Sequence, residues 1–274
     1  MNWKPSRIRP IKRVAVTVVV GVDNVTTVKF PPTLVDFEGW TQKKKILVIL
    51  AHPDDPEFFC GAMISRWAAI GHEIHYCLLT TGQKGSQDVN QSLEEISAIR
   101  MKEQRMAAEA LGVKGVEFLD YIDGEVVPDL DMRKKIVRII RKYSPQIVLT
   151  SDPQNYFPTD NRINHPDHRA AGQAVIDAVF PAAGNALFFP DLFMKEHLDP
   201  VNIDELWISA TVQPNLVVDM TDYFEAKISG IVCHRSQIGI HIGEFEKYMR
   251  ARFVNEPTTG KFFYPEKFKR IAFK

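Results

Sequence analysis

The feature that most constrains the fold is a change of texture at Lys45. Beyond it, short continuous apolar runs alternate with segments whose apolar residues recur every three or four positions. Residues 46–51 are apolar throughout, as a strand covered on both faces must be. Pro56 suits the first turn of a helix, and Phe59, Met63, Trp67 and Ile70 then share one helical face up to Gly71. A second strand is expected over residues 73–80, followed by a polar loop containing Gly82 and Gly85. Ser92 and Glu95 form a capping box that opens a helix carrying Ile96, Ile99, Met106, Ala107 and Ala110, closed by Gly112. Strands near 116–119 and 147–150 flank a helix from Met132 to Tyr143. A helix then follows Pro166, with strands near 206–212 and 216–219 and a helix over 222–234. Strands and helices alternating in this way build a mostly parallel sheet, so the expected fold class is α/β.

The 274 residues suit one large domain with extensions. The core domain is expected over 43–237. Residues 1–42 are expected to be an N-terminal extension with two short strands, 14–20 and 25–30. Basic residues ahead of Val14–Val22 imitate a signal peptide, but that run is rich in Val and Thr, lacks Leu and is followed by no small-x-small site, which suits a strand. Residues 238–274 are aromatic and basic without clear periodicity, and are expected to wrap the domain or contact a second copy. The 34 Lys and Arg balance 34 Asp and Glu, which gives nucleic acid or an anionic membrane no electrostatic handle. No stretch approaches the ~20 apolar residues of a membrane span. Cys60, Cys77 and Cys233 are odd in number and form no CxxC pair, so a reducing cytoplasm is the expected setting.

In a parallel α/β sheet ligands collect beyond the carboxyl ends of the strands. His52-Pro53-Asp54-Asp55 follows the first strand and His165-Pro166-Asp167-His168 follows the fourth, so two segments more than a hundred residues apart would meet above one sheet edge. Each residue alone has a plain explanation. A histidine at a strand end is commonly a hydrogen-bonded structural residue, and Asp54 or Asp55 could cap the helix at Pro56. Together they are hard to explain by stability, because adjacent carboxylates repel unless a cation sits among them. Imidazole and carboxylate are ligands for zinc and other divalent first-row metals, and His52, Asp55 and His168 make a set of three with room for water. Asp54 is then the candidate general base, and His165 the group that steadies an oxyanion or protonates a leaving amine.

The segments 51–58 and 164–171 resemble the two signature motifs of the LmbE-like, or PIG-L, N-acetylglucosaminyl deacetylase family. Thr80-Thr81-Gly82, Arg100, Glu103, Ala107-Ala108, Leu111-Gly112, Asp123-Gly124, Asn215 through Asp219 and His234-Arg235-Ser236-Gln237 are similar to family positions in the same order. The resemblance covers residues 43–237. It implies a Rossmann-like three-layer sandwich and a zinc enzyme that removes acetyl from an N-acetylglucosamine-type sugar or its conjugate. It assigns metal to His52, Asp55 and His168, and catalysis to Asp54 and His165. Arg100 and Asp123 would hold sugar hydroxyls or a neighbouring anionic group. Read from the residues alone, Arg100 is a helix-surface arginine and Asp123 part of an Asp-Gly turn. Phe58-Phe59-Cys60 departs from the family's glycine-rich run, so the first helix is expected to pack differently beneath the site. Ile163 stands where relatives often have tyrosine, which makes Tyr156 a candidate for oxyanion support. The Asp36-Phe37-Glu38 lead-in and the His-Arg-Ser-Gln segment are most similar to diacetylchitobiose deacetylase-type members, which implies a homo-oligomer, a hexamer in that group.

Competing readings are a metal hydrolase of a non-sugar amide or ester, and a non-catalytic binding protein on the same fold. The intact Asp54 argues against the second. Two histidines and a carboxylate also suit Fe(II), so zinc is the first choice of ion rather than the only one.

Overall fold

Alternate residues of the first apolar run serve opposite faces of the sheet, as the two-residue period of a strand requires. The computed structural model describes residues 40, 42–239, 242–256 and 259–273, so the expected N-terminal strands lie outside the described residues. Its elements are β1 (Lys45–Leu50), α1 (Asp55–Ala69), β2 (Glu73–Thr80), α2 (Leu93–Ala110), β3 (Gly115–Tyr121), α3 (Leu130–Tyr143), β4 (Ile147–Ser151) and α4 (Pro166–Asp177). After a π-helical segment, Ala178–Ala183, come α5 (Pro190–Met194), β5 (Glu205–Ser209), β6 (Leu216–Asp219), α6 (Phe224–Ile231), α7 (Arg235–Ile238), α8 (Ile242–Arg250), β7 (Val254–Asn255), β8 (Phe262–Phe263) and β9 (Pro265–Ala272).

The main sheet has seven strands in the order β3-β2-β1-β4-β5-β9-β6. β1 pairs in parallel with β2 and β4, and β3 and β5 extend the parallel set on either side. Ile46, Val48 and Leu50 join a core with Trp67 of α1, Ala108 of α2 and Ile228 of α6. Leu47, Ile49 and Ala51 join Ile136 and Ile140 of α3 with Ala171 and Val175 of α4. The result is the expected mostly parallel sheet with helices on both faces. The strand order reverses direction between β1 and β4, which opens a crevice at their carboxyl ends. Both His-Pro-Asp segments sit there.

Residues 265–272 hold a strand that the sequence does not announce. Within the expected C-terminal segment they form β9, antiparallel to β5 and β6 within the sheet. Their alternation is hard to read because one of the buried positions is Glu266, beside the apolar Phe268. Where a single helix is expected over 222–234, a 3-10 turn at Thr221–Tyr223 leads into α6, and α7 follows from Arg235. The chain turns at His234, whose ring is buried.

The first helix is interrupted within the Phe58-Phe59-Cys60 segment. Cys60 leaves helical geometry, at φ −149° and ψ 23°, so α1 is broken there. Groups freed by the break need other partners. Lys227 Nζ donates to the Phe58 carbonyl at 2.9 Å, and Glu266 accepts from the Ala62 and Met63 amides at 3.2 and 2.9 Å. Lys227 and Glu266 are themselves paired at 2.7 Å, both buried. This ion pair of α6 and β9 splints the helix that carries Asp55.

Candidate metal centre and active site

Site geometry begins in the turn after β1. The His52 amide donates to Asp55 Oδ2 at 2.9 Å, which folds the motif back on itself. Asp55 Oδ1 lies 3.0 Å from His168 Nε2, His52 Nδ1 lies 3.2 Å from His168 Nε2, and His52 Nδ1 lies 3.5 Å from Asp55 Oδ2. Donors bound tetrahedrally to zinc at 2.0–2.1 Å stand about 3.4 Å apart, and these separations, taken to Oδ1 of Asp55 for His168 and to Oδ2 for His52, fall around that value. More donors gather than the sequence suggested. The ligand atoms of His52, His165 and His168 lie within 4.8 Å of one another, and so do those of His52, Asp123, His165 and Asp167. The described residues therefore hold a His/Asp group able to bind a metal ion.

Outer partners fix which ring nitrogen is free. His52 Nε2 lies 3.1 Å from Asp167 and 3.2 Å from Asp123, so a proton there leaves the Nδ1 lone pair for a metal. His168 Nδ1 lies 2.9 Å from Asn164 Oδ1, which likewise leaves Nε2. Asp167 is held in turn by the Gly124 amide at 2.7 Å, and Ser151 Oγ donates to the His168 carbonyl at 2.6 Å.

The charges answer the same arrangement. Burial by itself would lower the His52 pKa, but hydrogen bonds to Asp123, Asp167 and Asp55 raise it to about 12. Burial would raise Asp55, yet His168 and His52 hold its carboxyl well below the usual range. Asp123 and Asp167 are lowered against burial, chiefly by His52. A proton on His52 thus serves as the balancing positive charge among these carboxylates. Asp54 differs: burial raises it to about 6, with Arg100 opposing. Burial, aided by the charge of His52, lowers His165.

His165 caps α4, with Nδ1 accepting from the Asp167 amide at 3.3 Å, and its side chain is 40% exposed. The neutral ring therefore carries its proton on Nε2. Arg100 is not a surface residue: it is 4% exposed. Its Nη2 donates to the Pro53 carbonyl at 2.7 Å and to Asp54 Oδ2 at 3.3 Å, and its Nη1 to the Gly82 carbonyl at 2.9 Å. Gly82 and Gly85 are needed for this, because a Cβ on either would fall 2.3 or 2.2 Å from Arg100 Nη1. Asp123 is buried, facing His52 and accepting from the Lys84 amide at 3.3 Å. Tyr156 is 54% exposed, with the Arg169 guanidinium 4.4 Å from its ring centre.

Asn164, Asp167, Gln104, Glu57 and His234 were missed as site residues. The first two sit in or beside the second motif, where their spacing could have marked them. Gln104 follows Arg100 by one helical turn on α2. That helix buries Ile96, Arg100, Gln104, Ala107 and Ala108, while the expected core residues Ile99 and Met106 are exposed.

The family GlcNAc-PI de-N-acetylase (PIG-L) matches residues 47–179. Over 214 residues, 78% of each protein, the chain is 37% identical to the diacetylchitobiose deacetylase of Thermococcus kodakarensis. The chain belongs to the PIG-L family. A solved structure, the N,N'-diacetylchitobiose deacetylase from Pyrococcus horikoshii complexed with its inhibitor MPG, superposes with a TM-score of 0.76 at 32% identity, covering 86% of both chains. GalB, the 4-carboxy-2-hydroxymuconate hydratase from Pseudomonas putida KT2440, shares the fold at a TM-score of 0.66 and 22% identity, covering 84% of this chain and 97% of its own. The PIG-L fold alone thus does not name the reaction. No helix among the described residues is long and apolar enough to cross a membrane.

Proposed function

We propose that this chain is a zinc-dependent hydrolase that removes the acetyl group from an N-acetylglucosamine-type amino sugar or its conjugate. The observation that carries this reading is the convergence of His52 Nδ1, Asp55 and His168 Nε2, separated by 3.2, 3.0 and 3.5 Å, beside the acid Asp54. Those three residues would hold the ion, with Fe(II) the other ion that suits them. When bound, the ion supplies Lewis acidity toward an acetyl carbonyl and lowers the pKa of a coordinated water from 15.7 toward about 7.

Asp54 takes the proton of the attacking water, and Arg100 at 3.3 Å favours its ionised form. His165, neutral and protonated on Nε2, donates a hydrogen bond to the oxygen of the tetrahedral intermediate. The leaving amine takes its proton from His165 or Asp54. Arg100 and Asp123 remain the candidates for sugar contact, but each already serves the protein, Arg100 at Asp54 and Asp123 at His52. A sugar hydroxyl would have to share them. The free thiols of Cys60, Cys77 and Cys233 suit a cytoplasmic setting. The homo-oligomer expected from the resemblance belongs to this proposal and is measured by light scattering.

The test is a free-amine assay over N-acetylated mono- and disaccharides, N,N'-diacetylchitobiose among them, with a non-sugar acetamide alongside. Amine release from acetylated sugars by the metal-loaded protein is expected. Release from the non-sugar amide alone, or from nothing, rejects the proposal.

A further inference from the structure

The backbone of Asp54 stands at φ +92° and ψ −30°, a strained conformation for a non-glycine residue that persists only where its surroundings enforce it. Asp54 N–H donates to Gln104 Oε1 at 2.8 Å. Gln104 Nε2 donates to both oxygens of Glu57, at 3.1 and 3.0 Å, and His234 Nε2 lies 3.1 Å from Glu57 Oε2. Gln104, Glu57 and His234 are each 0% exposed. None of them belongs to the metal group or to the catalytic set proposed above.

The chemistry of this chain of contacts is directional. A carboxylate only accepts hydrogen bonds, so Glu57 compels Gln104 to turn its NH2 toward it, which leaves the carbonyl end of the amide for Asp54. The reverse orientation would set oxygen against oxygen in a site without water access. His234 satisfies Glu57 from the other side, and its segment is anchored to α2 by Glu103, which accepts from Ser236 N and Oγ at 2.8 and 2.6 Å. Gly230 makes room for the acid, since a Cβ there would lie 3.1 Å from Glu57 Cγ.

We propose that Glu57 is a positioning residue which, through Gln104, holds the strained turn that aims the Asp54 carboxylate, with His234 as a further hydrogen-bond partner of Glu57. The inference rests on the reading of Asp54 as general base. A misplacement of about 1 Å at a reacting group costs on the order of a hundredfold in rate. Gln104→Glu sets a second acceptor against Glu57 and should lower kcat about a hundredfold, with KM and bound metal unchanged. The pair E57Q with Q104E reverses the polarity: the amide at position 57 donates to the carboxylate at 104, whose other oxygen still accepts from Asp54 N–H. Most of kcat should return.

Gln104→Met, which removes the hydrogen bonds to Asp54 and Glu57 without adding charge, should show the same loss, and it decides the matter if Q104E does not fold or shares a proton with Glu57. Wild-type kcat in the folded single variant, or no recovery in a folded, metal-replete double variant, overturns the inference. Asp54→Asn separates the two readings. If it retains full turnover, the assignment of the base is what fails; if it is inactive while Q104E is fully active, only the positioning role fails.

Discussion

Lys227→Met removes the ammonium that meets both Glu266 and the Phe58 carbonyl at the break in α1. Glu266 keeps the Ala62 and Met63 amides but loses its only cationic partner among the contacts described for it, in a region where Lys227 and Glu266 are 1% and 3% exposed. Breaking a buried pair on one side costs about 3–5 kcal/mol, because the remaining charge is stranded. For a protein of this size each kcal/mol is worth about 2–4 °C, so the melting temperature should fall by about 6–20 °C. Adding Glu266→Gln removes the stranded charge while leaving an oxygen for one amide, so the double variant should be more stable than K227M alone. Urea unfolding followed by circular dichroism measures both, through a midpoint shift at constant slope. A cost below about 1 kcal/mol for K227M, or a double variant that loses the sum of both single costs, would refute the claim that this pair splints the helix.

Metal uptake near neutral pH should release a proton from His52, whose pKa of about 12 in the metal-free fold stands against an ordinary 6.5. Affinity should therefore rise with pH, and titration calorimetry should give heats that depend on buffer ionisation; buffer-independent heats contradict it. The same shift is a stability term of the metal-free protein, fully present below pH 6.5 and lost as pH rises through about 12. Asp123→Asn should weaken metal binding about tenfold, the low end for an outer partner because Asp167 contacts the same His52 nitrogen. Unchanged metal affinity with a raised KM for the sugar would instead make Asp123 a substrate contact.

Much of this was legible in the sequence, for physical reasons. Strands covered on both faces read as unbroken apolar runs, so β1 and β4 were found nearly to their ends and β2 and β6 to the residue. The His-Pro-Asp segments follow β1 and β4, the two strands that flank the reversal of sheet order, and the fold class therefore suffices to bring them together. The supporting layer was not legible. Arg100 and Gln104 lie on an inward stripe of α2 that is polar because it faces the site, whereas hydrophobic periodicity searches for an apolar one. Glu57 and His234 meet across 177 positions of sequence, and only the packing of α1 against α6 and the turn at His234 unites them. Glu266 concealed β9 in the same way, by occupying a core position with a charge whose partner lies in another element.

The central claim is most directly tested by acetate release from N,N'-diacetylchitobiose as zinc is returned to the metal-stripped protein. Release should be absent without metal, rise to a plateau at one ion per chain, and vanish in His168→Ala together with zinc retention. Undiminished release from the stripped protein, or from His168→Ala with no ion bound, would contradict a metal centre at His52, Asp55 and His168.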